Sequence, residues 1–278
     1  MRVVFTNVDG SFWDAGGLGI GAASPALAAM ERRNIPLVFV SRRTRAEILA
    51  LQARLELSHP AAYENGAAVF VPAGYFPASI LDEGWEEHGN LLVRGLGLPY
   101  SHLRQVMQDV RVELDADMVG FGDWSEGELA LALGLSQEKA RLAHQREYSE
   151  IFTYAGQSQD LEQAIARHHL QVSKLQSSSL QGQWYLTGNA DKIAAMQLLL
   201  DCYVNHVGQV ESLGIGTEDS DAGWLHSMQR VVVLSGAVSD DAWWEECPQS
   251  WERSQLPGAE GWNEAVLNWL DSTDTAEE

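Results

Sequence analysis

Short apolar runs alternate with amphipathic segments in the first quarter of the chain. Residues 3–6 (VVFT) and 37–40 (LVFV) combine β-branched and aromatic side chains, as buried parallel strands do. Each run is followed, after a polar stretch, by apolar residues three or four positions apart, which is typical of an amphipathic helix. This alternation predicts an α/β fold with a doubly wound parallel sheet.

Two of the predicted helices begin at recognisable capping residues. Ser24 followed by Pro25 predicts a helix with serine at the N-cap and proline in the first turn, ending near Asn34. Thr44, with Glu47 three residues later, matches a capping box. The apolar faces that we expect to pack on the sheet comprise Ala23, Leu27 and Met30 in the first helix and Ile48, Leu51 and Leu55 in the second.

The middle of the chain has a less regular pattern, which several glycines interrupt. Helical periodicity returns there in three stretches, at residues 101–109, 125–133 and 161–168. We interpret residues 81–185 as an α+β cap domain that is inserted between two parts of a core, residues 1–80 and 186–270.

The core pattern resumes near Asp191. A helix is predicted from there through Tyr203, and strands follow at residues 210–215 and 231–234. The acidic residues 271–278 are predicted to be a disordered tail. The last amphipathic helix carries its apolar face on Trp262, Val266, Trp269 and Leu270.

Composition narrows the classes of function. The 278 residues carry a formal net charge of −21, which repels nucleic acid, so we expect no nucleic-acid partner. No apolar run approaches the roughly 20 residues of a membrane span, and no membrane association is expected. Cys202 and Cys247 are too few for a disulfide framework, and the N-terminus resembles a strand rather than a signal peptide. We therefore expect a cytoplasmic protein.

Polar side chains follow the predicted strands at the edge where ligands bind in parallel sheets. Asn7 and Asp9 come after the first strand and Ser41 directly after the second, which predicts that they share one rim. Lys192 begins a helix, and acidic residues cluster within residues 214–221. Phosphoryl transfer needs a nucleophile, an acid/base, a cation and donors for the phosphate oxygens, and these four segments together offer such parts.

The order and spacing of these segments resemble the four motifs of the haloacid-dehalogenase-like (HAD) superfamily. The likeness is to the mannosyl-3-phosphoglycerate phosphatase family in particular, and it extends over nearly the whole chain. It implies a HAD-like core with a doubly wound parallel sheet and an inserted α+β cap domain. The segments that carry it are residues 41–47, 63–70, 72–77, 146–150, 188–192 and 211–212.

The resemblance implies roles for the matching residues. Asp9 corresponds to the general acid/base, Ser41 to the phosphate-binding hydroxyl and Lys192 to the charge that orients the phosphate. The implied ligand is a phosphorylated sugar or a phosphoglycerate-type small molecule, and whether the chain also has a protein partner is left open. For Arg146 and Glu147, to which the resemblance gives a role in substrate binding, a surface ion pair is the alternative interpretation. Mg²⁺ is implied at the positions of Asn7, Asp9, Thr217 and Asp221, and substrate contacts are implied for Ser41, Arg43, Glu64, Asn65, Arg146, Glu147 and Lys192.

The sequence departs from the family pattern where the chemistry is most demanding. Asn7 stands at the position of the nucleophilic aspartate, and a carboxamide is an uncharged, poor nucleophile. The family's fourth motif, Gly-Asp-Ser-x-Asn-Asp, aligns with residues 216–221, so Thr217 replaces a magnesium-binding aspartate and Ser220 an asparagine. Because magnesium prefers charged oxygen ligands, its binding is expected to be weak or absent. The other departures are Thr187, for histidine, and Ile193, for glycine.

Two functional hypotheses remain open from the sequence. One is a pseudophosphatase that has lost catalysis and either binds a phosphorylated sugar or glycerate or regulates a partner protein. The retained Ser41, Lys192 and cap motif support it. The other is an active magnesium-dependent mannosyl- or glucosyl-3-phosphoglycerate phosphatase whose metal site is displaced to Glu218 or Asp219. A dinucleotide-binding role is not favoured, because the glycine-rich residues 17–21 lie too far after the first strand, and we interpret them as a flexible flap.

Overall fold

The chain forms two β-sheets in the computed structural model, which describes residues 1–12, 21–175, 182–236 and 241–274. The strands are β1 (Arg2–Asn7), β2 (Leu37–Val40), β3 (Ala61–Tyr63), β4 (Ala68–Pro72), β5 (Glu86–His88), β6 (Leu91–Gly95), β7 (Met118–Gly120), β8 (Ser149–Tyr154), β9 (Gln171–Lys174), β10 (Trp184–Thr187), β11 (Glu211–Gly216), β12 (Arg230–Ser235) and β13 (Glu252–Pro257). The helices are α1 (Ser24–Arg32), α2 (Arg45–Arg54), α3 (Tyr100–Glu113), α4 (Glu126–Leu133), α5 (Gln137–His144), α6 (Ser158–Arg167), α7 (Lys192–Val207), α8 (Ala222–Leu225), α9 (Asp241–Glu246) and α10 (Gly258–Asp274).

The larger sheet has the strand order β13-β12-β11-β1-β2-β3-β4-β6-β5. The strands from β13 to β3 pair in parallel, whereas the pairs from β3 to β5 are antiparallel. The chain leaves β1 towards β2 on one side and returns to its other side as β11, so a topological switch point lies at β1. Ligands of open α/β sheets bind at the carboxyl ends of strands at such a point. The predicted α/β fold with a parallel sheet is confirmed.

Successive side chains of β1 enter opposite layers of the core. Val4 packs with residues of α1, α2 and α10, whereas Val3 and Phe5 pack with residues of α7 and α8 on the other face. Both faces of the parallel strands are therefore covered, which explains why β1 and β2 are almost continuously apolar. The predicted apolar face of the last helix is confirmed, because its four residues are buried in the same layer as Val4: Trp262, Val266, Trp269 and Leu270.

The smaller sheet is antiparallel and has the order β7-β8-β10-β9. Helices cover both of its faces, with α3 and α6 in one apolar cluster and α4 and α5 in another. Residues 86–95, which fall inside the range interpreted as the cap, pair with β4 of the larger sheet as β5 and β6. They do so because Leu91 and Val93 point into the core layer under β4. The helices and strands of the smaller unit therefore begin with α3.

The two helix starts predicted from capping residues differ in outcome. The Thr44 capping box is confirmed, since Thr44 Oγ1 accepts from the Glu47 N–H at 3.1 Å and the Thr44 N–H donates to the Glu47 carboxylate at 2.9 Å. The N-cap assignment of Ser24 is wrong. Ser24 is already the first residue of α1, because a 3₁₀ turn at Gly21–Ala23 leads directly into the helix and leaves Ala23 at the N-cap.

The predicted helical stretches of the middle region are found as α3, α4 and α6, each longer or shorter by a few residues, and α5 was not predicted. The disorder predicted for residues 271–278 is wrong for residues 271–274, which continue α10. Residues 275–278, and residues 17–20 of the predicted flap, lie outside the described residues. None of the helices in the described ranges is long and apolar enough to cross a lipid bilayer.

The 3₁₀ turn Glu64–Gly66 abuts the start of α7. Its three residues have left-handed backbone angles, with φ values of 47°, 63° and 82°. A Cβ added at Gly66 would lie 2.7 Å from the backbone atoms of Asp191 and Lys192, closer than packed atoms approach. Glycine is therefore required at position 66 both for the backbone angle and for the contact with α7.

We predict that Gly66→Ala lowers the free energy of unfolding by about 3 kcal/mol, because the strain of the left-handed angle adds to overpacking against α7. The matched control is Gly74→Ala, which has a φ of 77° but no atom within 4 Å of the added Cβ, and which should cost only about 1 kcal/mol. Urea unfolding of both variants measures the difference. Equal losses would contradict the proposed contact between the turn and α7.

Candidate active site

The carboxyl ends of three adjacent parallel strands bring the predicted residues to one rim of the larger sheet. Asn7 ends β1 and pairs with Val40 in β2, so Ser41 follows at the neighbouring strand end. Thr217 directly follows β11, the other neighbour of β1. Lys192 is the first residue of α7, and its side chain is 8% exposed.

The Asp221 carboxylate is fully buried at the centre of this rim. A carboxylate offers about four lone-pair positions, and here five donors surround its two oxygens. Oδ1 accepts from Lys192 Nζ at 2.9 Å and Trp224 Nε1 at 3.1 Å, and Oδ2 accepts from Asn7 Nδ2 at 2.5 Å and from the N–H groups of Thr217 at 3.0 Å and Glu218 at 3.2 Å.

These donors decide the charge of Asp221. Burial alone would raise the pKa of its carboxyl, but Lys192 and the N–H donors of Thr217 and Trp224 outweigh burial and hold the pKa below its ordinary value. The carboxylate is therefore ionised and already fully engaged by the protein.

The Asn7 side chain has a defined orientation. An ionised carboxylate can only accept hydrogen bonds, so the amide must turn its NH₂ group towards Asp221. The same NH₂ group donates to Thr217 Oγ1 at 3.1 Å. Asn7 Oδ1 is buried and finds no hydrogen-bond partner among the described residues. Position 7 therefore presents a neutral acceptor oxygen where the family pattern has a nucleophilic carboxylate.

Asp9, the predicted acid/base, is paired with Arg43. Its Oδ1 lies 2.6 Å from Arg43 Nη2 and its Oδ2 lies 3.0 Å from Arg43 Nε. Burial would lower the pKa of the Arg43 guanidinium, but Asp9 and Glu47 raise it above its ordinary value. The backbone N–H of Arg43 also donates to Ser41 Oγ at 3.1 Å. Arg43 thus connects the predicted acid/base to the predicted phosphate-binding hydroxyl.

Glu218 and Asp219, the residues of the displaced-metal hypothesis, have different surroundings. The Glu218 carboxylate lies 3.5 Å from Lys192 Nζ and 3.9 Å from Arg42 Nη2, so it pairs with cations. Asp219 is exposed and accepts the N–H of Ser220 at 2.8 Å.

The predicted substrate-binding residues Glu64 and Arg146 connect the two sheets. The buried Glu64 carboxylate accepts from the N–H groups of Glu147 and Tyr148, each at 2.8 Å, and from Ser149 Oγ at 2.5 Å. Burial raises the pKa of Glu64, although Arg146 and these donors oppose the rise. Arg146 is 6% exposed and donates to Ser149 Oγ at 2.9 Å.

The surface ion pair suggested for Arg146 and Glu147 is wrong. Arg146 is buried and reaches the backbone oxygen of Arg42 at 3.0 Å, whereas the Glu147 carboxylate pairs with Arg45 at 2.6 Å. The Asn65 N–H donates to the backbone oxygen of Ser41 at 2.8 Å. A cavity of about 460 Å³ lies beside this junction, lined by Arg45, Ala46, Leu49, His88, Asn90, Leu91, Gln145, Arg146 and Glu147.

Two contributors to the site were not predicted from the sequence. Trp224 was given no role, yet its indole N–H donates to the central carboxylate of Asp221. Arg42 lies in the matched segment 41–47 but was given no role, and it contributes a cation beside Glu218. No signal in the local sequence distinguishes Trp224 from a packing tryptophan.

The side chains at the predicted metal positions are not arranged to bind a magnesium ion. Magnesium binds hard oxygen ligands, but both Asp221 oxygens accept hydrogen bonds from the protein and Asp9 is paired with Arg43. Asn7 directs its NH₂ group, not its oxygen, towards Asp221 and Thr217. Throughout the described part of the chain, no three His, Cys, Asp or Glu side chains are grouped to hold a metal ion. The Asn7 NH₂ group instead bridges Thr217 and Asp221, two of the positions that the resemblance assigns to magnesium.

Comparison with known proteins finds similarity in sequence to curated phosphatases and similarity in fold to a solved sugar phosphatase. The chain matches no protein-family model. It is 30% identical to the glucosyl-3-phosphoglycerate/mannosyl-3-phosphoglycerate phosphatase of Methanococcoides burtonii over 97% of both chains. It is 29% identical to the mannosyl-3-phosphoglycerate phosphatase of Pyrococcus horikoshii, over 84% of this chain and 90% of that protein. Among solved structures, a HAD subclass IIB sugar phosphatase shares the fold with a TM-score of 0.61 and 12% identity, over 97% of this chain and 99% of that one.

We predict that Asn7→Asp lowers the free energy of unfolding by roughly 2 kcal/mol in chelator, because a donor is lost beside a buried carboxylate. Mg²⁺ should raise the melting temperature of this variant and leave that of the wild type unchanged. Thermal unfolding in EDTA and in MgCl₂ measures both effects. The control is Asn90→Asp in the exposed β5–β6 turn, which should change stability by less than about 0.5 kcal/mol. An Asn7→Asp protein as stable as the wild type in EDTA would contradict the proposed role of the amide.

Proposed function

The chain belongs to the glucosyl-3-phosphoglycerate/mannosyl-3-phosphoglycerate phosphatase family, and we propose that within this family it is a pseudophosphatase that binds a phosphorylated sugar or glycerate without hydrolysing it. The observation that carries the proposal is the hydrogen bond of Asn7 Nδ2 with Asp221. It supports a resting site in which position 7 supplies a donor to the protein rather than an attacking carboxylate to phosphorus.

The loss of the nucleophile is not compensated elsewhere in the proposed site. General acid/base catalysis by a residue such as Asp9 contributes only ~10²–10⁴-fold, which is small against the acceleration that phosphate-ester hydrolysis needs. The pairing of Asp9 with Arg43 further supports impairment, because this carboxylate would have to leave the guanidinium before it transferred a proton.

Electrostatics supports the binding part of the proposal. Two carboxylates at positions 7 and 217 would repel a phosphate dianion unless a metal ion screened them. Here both positions are neutral, which favours the dianion by roughly 1–4 kcal/mol per removed charge, depending on the effective dielectric constant. Lys192, Arg42 and Arg43 supply positive charge at the same rim. We therefore propose that the anion binds without magnesium.

The family and the junction between the sheets support a proposal for the class of ligand. The names of the relatives give a glucosyl or mannosyl phosphoglycerate as their substrate, and we propose a ligand of the same class for this chain. Ser41 and Lys192 would hold its phosphate. Glu64 and Arg146 are engaged with the backbone and with Ser149, so we assign them to positioning the cap above the phosphate rather than to direct contact with it.

We predict that the wild-type protein releases no phosphate above background from a panel of phosphorylated sugars and glycerates, with or without magnesium. The double variant Asn7→Asp with Thr217→Asp should gain more activity than either single variant, because it restores both the nucleophile and a charged metal ligand. A malachite-green assay of the four proteins measures this. Robust magnesium-dependent turnover by the wild type, abolished by Asp9→Ala, would instead support an active phosphatase with a displaced metal site.

We predict that inorganic phosphate and a phosphoglycerate bind the wild type in chelator, and that Lys192→Ala weakens binding by about tenfold or more, since a charged hydrogen bond is lost. Ser41→Ala should weaken binding less and leaves the donors of Asp221 in place. Lys139→Ala on the exposed surface of α5 is the matched control and should have no effect. Calorimetry in EDTA and in MgCl₂ tests this. Binding that requires magnesium, or that is unaffected by Lys192→Ala, would rule out the metal-free receptor.

A further inference from the structure

The Glu218 side chain lies between two cations of the rim. Its Oε1 is 3.5 Å from Lys192 Nζ and accepts from Ser220 Oγ at 2.9 Å, and its Oε2 is 3.9 Å from Arg42 Nη2. Its backbone N–H is bound to the buried Asp221 carboxylate at 3.2 Å. The backbone of Glu218 is therefore fixed, whereas its carboxylate, at the end of a flexible side chain that is 29% exposed, can move.

The Lys192 ammonium group has three hydrogens, and three acceptors surround it. Asp221 Oδ1 lies at 2.9 Å, Ser220 Oγ at 3.3 Å and Glu218 Oε1 at 3.5 Å. Asp221 is fully buried and held by its other donors, so it cannot withdraw. Glu218 is the longest of the three contacts, and both Glu218 and Ser220 have access to solvent, whereas Asp221 does not. Of these two accessible partners, only Glu218 carries a negative charge that competes with an anion for Lys192. An anion that reaches Lys192 must therefore take the place of the Glu218 carboxylate.

We propose that Glu218 is a tethered carboxylate that competes for the phosphate site: it occupies the anion position on Lys192 and Arg42 until a phosphate group displaces it. This inference rests on the proposed receptor function and deepens it. Inorganic phosphate binds less tightly than it would without Glu218, because it replaces one negative group on the two cations by another. A phosphate ester with an organic body makes further contacts, and these offset the cost of moving Glu218.

The experiment compares Glu218→Gln with Asp219→Asn. Both variants remove one negative charge from the same loop, but Asp219 lies within salt-bridge distance of no cation in the described residues. Glutamine keeps an acceptor for Ser220 and leaves the backbone N–H on Asp221. Calorimetry in chelator with inorganic phosphate and with a phosphoglycerate should show binding about tenfold tighter for Glu218→Gln than for the wild type, which corresponds to about 1.4 kcal/mol. Asp219→Asn should bind within about twofold of the wild type.

The outcomes separate this inference from the receptor function. Phosphate binding by the wild type with no change in Glu218→Gln would overturn the role of Glu218 and leave the receptor intact. Equal tightening in both variants would also overturn it, since a general charge effect would then suffice. No binding by any of the proteins would overturn the receptor function and this inference together. Should Glu218→Gln not fold, as judged by its circular dichroism, Glu218→Asp replaces it: the shorter side chain withdraws from both cations, and tighter binding is again the expected result.

Discussion

The buried Asp221 carboxylate holds together the elements that form the rim. It joins the end of β1 through Asn7, the start of α7 through Lys192 and the loop after β11 through the Thr217 N–H group. A buried charge that loses its partner destabilises a protein by about 3–5 kcal/mol, so these three elements are held in one arrangement. The same donors occupy the oxygens that a metal ion would need, and stability and metal binding therefore compete for one side chain.

The amide at position 7 donates a hydrogen bond to Asp221 and so keeps this carboxylate bound to protein donors instead of to a metal ion. An aspartate in its place would stand beside a second ionised carboxylate, and the pair would need either a proton or a cation between them. The NH₂ group of Asn7 supplies two hydrogens instead, one to Thr217 Oγ1 and one to Asp221. The rim thus keeps its geometry without a metal ion, and the cations Lys192 and Arg42 are left to face Glu218 or an external anion.

The turn Glu64–Gly66 relates this rim to the smaller sheet. Its glutamate binds the backbone before β8, its asparagine binds the backbone of Ser41, and its glycine lies against the first residue of α7. One short segment with three left-handed residues therefore sets the distance between the cap, the predicted phosphate-binding hydroxyl and the predicted phosphate-binding lysine. Left-handed backbone at non-glycine residues carries strain, and such strain persists where the surrounding contacts over-determine it.

Local signals in the sequence are sufficient to predict several elements of the fold. β1 and β2 follow from continuous apolar runs, α2 from the Thr44 capping box, and the shared rim of Asn7 and Ser41 from the rule that ligands meet parallel strands at their carboxyl ends. The folded chain was needed to show that β5 and β6 extend the larger sheet, that Trp224 donates to Asp221 and that Glu218 lies near two cations. The partners of Asn7 lie 210 and 214 positions away in the chain. Such contacts depend on how distant strands pair and pack, and no periodicity or spacing within a short segment encodes them.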